Sequence, residues 1–257
     1  MSIPRLFLDQ PLAAGEAVPA TPGQAHYLGS VMRRAVGDAV MLFNGRDGEW
    51  QASIAGLRKD RCTLLPEART RSQEAGSETR LLVAALKRDA LEWVVEKATE
   101  LGIGLIQPVL TRRTVAGRVN TARLATIAQE AAEQSERLTL PRIAEPLPLH
   151  AVLAAWDGTP LLVGAERRDR PPLARVAAGL HAAGSLDRWA WMVGPEGGFD
   201  GPELDDLARR PFVSTVALGP RILRAETAAI AGLAILQALA GDWRAGDWTE
   251  DPSRSIG

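Results

Sequence analysis

The sequence predicts an α/β protein in two parts, a small β-barrel followed by a mostly parallel sheet with helices between its strands. Three observations carry this. Short runs of apolar residues separated by turn signals fill residues 5–65, the pattern of a compact all-β module. From Arg80 onward, strand-length apolar runs alternate with helix-patterned stretches, which implies parallel strands joined by crossovers. Near the C-terminus, two successive units share one design: a buried strand, a loop rich in Gly and Pro, then a helix.

Taken in order, Arg5 to Leu8 is a first short strand. Thr21-Pro22-Gly23-Gln24 is a capping box with Pro at the first helical position, opening a helix through Met32. Val40 to Phe43 is the next strand, and Asn44 to Gly48 supply hairpin residues. Glu49 to Leu57 alternates, with Trp50, Ala52 and Ile54 on one face. Arg58-Lys59-Asp60 turn the chain into Arg61 to Leu65. Thr70 to Glu78 is polar and non-periodic, a linker. The expected domains are therefore residues 1–72 and 73–257.

In the second part, Arg80 to Leu86 is a strand, and Asp89 caps the following helix with Glu92 at its third position. Leu91, Val94, Val95, Ala98 and Leu101 form one apolar stripe that Gly102 ends. Ile103 to Leu110 is a strand followed by Thr111-Arg112-Arg113. Thr121 opens a long helix on which Glu130, Gln134 and Arg137 share a face. Leu161 to Val163 is a buried strand with the exit loop Gly164-Ala165-Glu166. Trp189 to Val193 is another, leaving through Gly194-Pro195-Glu196-Gly197-Gly198 into a helix capped by Asp200, with Pro202 and Glu203 in its first turn. Phe212 to Leu218 is the last strand, stopped by Gly219-Pro220. A basic loop, Arg221 to Arg224, leads to a helix from Thr227 to Ala240, and the tail after Trp243 frays. Loops at the carboxyl ends of parallel strands are where open α/β sheets bind ligands.

Composition narrows the class without naming a function. Across 257 residues, 46% hydrophobic and 24% charged content is ordinary for a soluble globular protein. The single cysteine, Cys62, excludes an intrachain disulfide and suits a reducing cytoplasm. The N-terminus lacks a signal-peptide apolar core, and the longest apolar run, Ala228 to Ala240, is too short for a bilayer. A net charge of −1 is no argument for RNA binding. No His/Cys cluster stands anywhere, so no metal site is expected. Neither G-x-G-x-x-G after the first strand nor G-x-x-x-x-G-K-[ST] occurs.

GPEGGFD (Gly194 to Asp200) followed by LGPRILRAETAA (Leu218 to Ala229) is more specific. Together with HYLGSVMRRAVGD (His26 to Asp38), KRDALEWVVEKATELGI (Lys87 to Ile103) and IAQEAAEQSER (Ile127 to Arg137), these motifs resemble the RsmE family. These are bacterial 16S ribosomal RNA uridine-N3 methyltransferases of the SPOUT class. Tyr27 stands where many members carry a second His, and Met32 where Leu is usual.

The resemblance implies a PUA-like RNA-binding barrel over 1–72 and a SPOUT methyltransferase domain with a deep trefoil knot over 73–257. It implies S-adenosylmethionine as cofactor, S-adenosylhomocysteine as product and a uracil-1498-type site as target. It also implies a homodimer acting in the cytoplasm on 16S rRNA of the small subunit, with no membrane partner. The cofactor would lie among Val163, Gly164, Gly194, Pro195, Glu196, Gly197, Gly198, Leu218, Gly219, Ile222 and Leu223. Arg224 would hold developing charge, and Glu226 is a candidate base that could equally serve the helix dipole. Arg33, Arg34, Lys87, Arg112, Arg113 and Arg137 are candidate RNA contacts; Arg33 and Arg34 could as well be cations at a helix end. Two other readings stay open, a SPOUT enzyme acting on another base or a ribose hydroxyl, and a non-catalytic RNA-binding assembly factor.

Overall fold

The computed structural model describes residues 3–114, 117–165 and 170–244. Glu166 and the tail beyond Arg244 lie outside the described residues. The chain divides into two compact units: Met1–Gly76 with Gln129–Leu140, and Ser77–Ala128 with Pro141–Gly257.

The first unit is a curled sheet with strand order β1-β3-β4-β5-β2. Its strands are β1 (Arg5–Phe7), β2 (Val18–Pro19), β3 (Ala39–Phe43), β4 (Glu49–Arg58) and β5 (Arg61–Arg71). β1 runs parallel to β3, and the remaining pairs are antiparallel. Register shifts at Glu49/Trp50, Gln51/Ala52 and Ile54/Gly56 bend the long β4–β5 ribbon, because each extra residue increases the local twist. Leu6, Leu28, Val40, Leu42, Ile54 and Leu64 fill the inside.

The capping box forms as expected. Gln24 N–H donates to Thr21 Oγ1 at 3.2 Å, and Gln24 Oε1 accepts from Thr21 N–H at 3.0 Å. The helix it opens, α1, covers only Pro22–His26, and the chain widens into a π-helical turn over Tyr27–Val31. Gly29, Ser30 and Val31 are weak helix formers, and the widened turn buries Leu28 completely while leaving Val31 61% exposed. The expected linker is also shorter than the sequence suggests. Thr70 and Arg71 belong to β5, where Thr70 Oγ1 donates to the Glu49 carbonyl at 3.2 Å.

Residues 129–140 pack with this unit although 73–257 reads as one domain. Arg5 donates to the carbonyls of Ala132 at 2.8 Å and Arg137 at 2.6 Å, and pairs with Glu49 at 2.7 Å. Its guanidinium lies 3.9 Å from the Phe43 ring centre. These partners satisfy a charge that burial would otherwise penalise; burial still holds its pKa below the ordinary arginine value.

In the second unit seven parallel strands form the sheet. They are β6 (Arg80–Ala84), β7 (Leu105–Leu110), β8 (Arg142–Ile143), β9 (Leu147–Pro148), β10 (Leu161–Gly164), β11 (Ala190–Val193) and β12 (Val213–Val216). The main order is β12-β10-β11-β6-β7-β8, with β9 also beside β7. The helices are α2 (Arg88–Glu100), α3 (Thr121–Gln134, which runs into the first unit), α4 (Leu149–Ala154), α5 (Leu173–Ala182), α6 (Gly201–Arg209) and α7 (Ala225–Ala240). Alternate strand residues feed two cores. Leu81, Val83, Leu162 and Trp191 pack with α2, α5 and α7, while Leu82, Leu161, Val163 and Met192 pack with α4 and α6. Burial on both faces is why these strands are continuous apolar runs.

Three local expectations change. Lys87, not Asp89, is the N-cap of α2, without a side-chain bond, and Asp89 stands in the first turn. Glu92 pairs instead with Arg88 at 2.8 Å and Arg123 at 3.5 Å, and these cations hold its carboxyl below the usual range, the Arg88 hydrogen bond most of all. Arg137 lies past the end of α3, after Glu136 at φ 60°, so it does not continue the face of Glu130 and Gln134. α7 begins two residues before Thr227, because Arg224 is the last residue in extended geometry and the chain turns helical at Ala225.

Candidate active site

The strand order brings four chain reversals to one edge. The chain leaves β6 toward β7, returns to lay down β10, and then inserts β11 between β10 and β6. The loops after β6, β10, β11 and β12 line one cleft of about 1200 Å³ within the second unit. A crevice beyond the carboxyl ends of strands where the order reverses is the usual ligand position in such sheets.

The loop after β11 is firmly built. A Cβ on Gly194 would come within 2.9 Å of the buried Phe199 ring, so only glycine lets the strand end pass so close. Gly198 takes φ 67° and donates to the Pro195 carbonyl at 2.8 Å. Arg113 Nη1 donates to the Gly197 carbonyl at 2.8 Å. The loop then enters α6 through a complete capping box, with Glu203 N–H donating to Asp200 at 2.8 Å and Asp200 N–H to Glu203 at 3.1 Å.

The loop after β12 is open. Gly219, Pro220, Arg221 and Ile222 are exposed, while Leu218 and Leu223 are half-buried. Gly219 sits at φ 124°, with no heavy atom within 4 Å of the place a Cβ would take. Arg224 then caps α7 without a side-chain bond. A cation at the positive end of a helix dipole opposes stability. Here its guanidinium is 86% exposed and only 3.9 Å from the half-buried Glu226 carboxylate. Arg224, Ala225 and Glu226 thus line one side of the cleft, which presents a cation and a carboxylate together at the start of α7.

The expected cofactor residues come together with one exception. Gly164, Gly194, Pro195, Glu196, Gly197, Gly198, Leu218, Gly219, Ile222 and Leu223 all line the cleft, as do Arg224 and Glu226. Val163 does not, because its side chain is fully buried in the core toward α4 and α6. Of the expected RNA contacts, Lys87 and Arg113 line the cleft. Arg112 is turned to Asp200 at 3.4 Å, with its N–H on Glu203 at 2.8 Å. Arg33 (exposed, φ 52°), Arg34 and Arg137 belong to the first unit. Asp89, Ala90 and Trp93 of α2 also line the cleft and escape the sequence reading, while Arg221 lines it from the expected basic loop. The available signal was Trp93, a large apolar residue off the stripe of Leu91, Val94, Val95 and Ala98.

A parallel-sheet domain with this cleft, preceded by a curled sheet, defines a class. Residues 73–237 match the RNA methyltransferase domain family and residues 21–67 the RNA methyltransferase PUA domain, and the architecture is that of the SPOUT methyltransferases. The chain is 34% identical over 240 residues to the ribosomal RNA small subunit methyltransferase E of Rickettsia conorii, covering 93% of this chain and 97% of that one. It is 34% identical over 226 residues to the Synechocystis enzyme of the same name, covering 86% of this chain and 73% of that one. A crystal structure of the Neisseria gonorrhoeae protein of that name, bound to S-adenosyl methionine, superposes with a TM-score of 0.83 at 28% identity, covering 94% of this chain and 100% of that one. This chain belongs to the ribosomal RNA small subunit methyltransferase E family.

Proposed function

We propose that this protein methylates N3 of a uridine in 16S ribosomal RNA, at the uracil-1498-type site, with S-adenosylmethionine as donor. The observation that carries the reading is the convergence of the Gly/Pro loops and Arg224 on one cleft. The residues present fit the cofactor. Gly197 and Gly219 are exposed on the cleft, and the space above Gly219 is clear. Leu218, Leu223 and Val193 supply apolar wall, and loop amides and carbonyls can read a purine edge, a mixture common to small-molecule sites.

When bound, the cofactor supplies an electrophilic methyl group on a sulfonium. Uracil N3 carries a proton at neutral pH and is a poor nucleophile until that proton leaves. A carboxylate oxygen of Glu226 accepts it, and the lone pair it leaves on N3 becomes the nucleophile. The Arg224 guanidinium, which cannot act as a base, stabilises the negative charge shared by N3 and the flanking carbonyl oxygens. Arg113 acts at one remove by holding Gly197 in place. The first unit, with exposed Arg33, positions the RNA through its backbone. The trefoil knot is part of this proposal, as is a homodimer: α7 carries Ile230, Ile235 and Leu239 only half-buried, apolar surface that a second copy could cover.

The test is mass spectrometry of nucleosides from 16S rRNA treated with the enzyme and labelled cofactor. The expected product is 3-methyluridine. Label in another base or in a ribose would move the protein to a different reaction of the same class, and absence of cofactor binding in calorimetry would remove it from the class.

A further inference from the structure

The cleft is larger than one cofactor requires. Its volume of about 1200 Å³ exceeds the roughly 300–1,000 Å³ typical of small-molecule sites, and the loops after β10, β11 and β12 form only part of the wall. The remainder is Arg113, the starts of α6 and α7, and the beginning of α2 with Lys87, Asp89, Ala90 and Trp93. Trp93 faces away from the apolar stripe of its helix and is 41% exposed. Among the described residues, its indole has no ring partner and no hydrogen bond. Ile222, from the loop after β12, lines the same cleft and is 78% exposed. Lys87 and Arg221, also exposed, have no ion pair among the described residues.

Leaving 41% of an indole to water forgoes part of the stabilisation that burial would bring, and Trp93 shares the cleft with exposed cations that have no ion pair among the described residues. Aromatic faces flanked by such cations are how proteins hold unstacked nucleic-acid bases, the ring stacking on the base and the cations meeting the backbone. An extruded base also matches the chemistry of the cleft, since N3 of a paired uracil is inaccessible inside a duplex. We propose that Trp93 is the stacking platform for the target base, with Lys87 beside it for the flanking phosphate. The proposal deepens the methyltransferase reading and rests on it.

The experiment compares wild type, Trp93→Ala, Trp93→Phe and Trp93→Leu, using small ribosomal subunits that lack the modification. Trp93→Ala is expected to raise KM for RNA roughly ten- to a hundred-fold, with a smaller change in kcat. Phe should restore most of the loss and Leu should not, because stacking needs a π face. Cofactor affinity in calorimetry, sedimentation and the thermal midpoint should be unchanged. The proposal is overturned if KM for RNA does not move, or if Leu rescues as well as Phe. It is equally overturned if the loss falls on cofactor affinity, or if the variant changes association state, which would mean that a second copy covers the indole. Filter binding of a 16S fragment reads the platform without turnover. If wild type binds RNA but no cofactor, it is the methyltransferase reading that fails, and the Trp93 comparison still stands on the binding data.

Discussion

The two glycine–proline loops of the cleft look alike in sequence and are built in opposite ways. The one after β11 is tied at every step: Gly194 lies against Phe199, Gly198 bonds to Pro195, Arg113 holds Gly197, and the Asp200–Glu203 box receives its end. Among the described residues, no hydrogen bond holds residues 218–223 of the loop after β12, and its residues from Gly219 to Ile222 are exposed. The first loop spends its polar groups on itself and serves as a frame. The second leaves its groups unspent at the mouth of a helix that carries Arg224. The difference teaches that composition predicts where backbone can approach a ligand, while the partners of that backbone decide which loop is rigid and which is committed to the ligand.

The contrast can be broken at three points. The largest effect is expected for Arg224→Gln, which should lower turnover about 100- to 1,000-fold, the scale of removing a group that stabilises developing charge. The unfolding free energy should stay within about 0.5 kcal/mol of wild type, as for other exposed positions. A variant that melted much earlier would show that the β12 loop is a frame after all.

Gly194→Ala should do the reverse. Pressing a methyl group onto Phe199 is expected to cost about 1–3 kcal/mol of stability, as overpacking does, and to weaken cofactor binding through the displaced loop. Urea unfolding and calorimetry on one preparation would check both; unchanged stability would contradict the description of this loop as tightly built.

The smallest effect is expected at the other end of the sheet. Asp157 receives Arg80 at 2.6 and 3.1 Å, and the Arg80 hydrogen bond, the largest contribution, holds its carboxyl well below the usual range. A lowered folded-state pKa means that the stabilisation is present above the unfolded value near 4 and is lost as pH falls through the folded value. The pair is partly exposed, so its contribution is only about 0.5–1 kcal/mol. Thermal melts should show Asp157→Asn below wild type at neutral pH and converging with it in acid. Cofactor affinity should not change, and a change would mean that the cleft feels the far end of the strands.

Much of this architecture was legible in the residues because its causes are local. The boxes at Thr21 and Asp200 close over three residues, and Gly102 stops α2 at φ 84°. The strands of the second unit announce themselves as apolar runs because both their faces are buried. What escaped depends on distant partners. The last part of α3 reads as helix wherever it packs, and it is distant partners, Arg5, Phe7, Phe43 and Arg71, that draw residues 129–140 into the first unit. Asp89 has the chemistry of a cap but falls in the first turn, two residues beyond the N-cap at Lys87. Val163 adjoins a cleft glycine, yet the alternation of a strand turns its side chain to the opposite face.

The sequence alone determined the alternation of strands and helices, the helix starts with closed capping boxes, and the glycine–proline composition of the turns, since each follows from interactions among near neighbours. Tertiary structure decided that the loops after β6, β10, β11 and β12 share one crevice, that Trp93 faces it and that Val163 does not. Those outcomes depend on inserting β11 between β10 and β6, a pairing of segments more than a hundred residues apart that periodicity over a few turns does not encode.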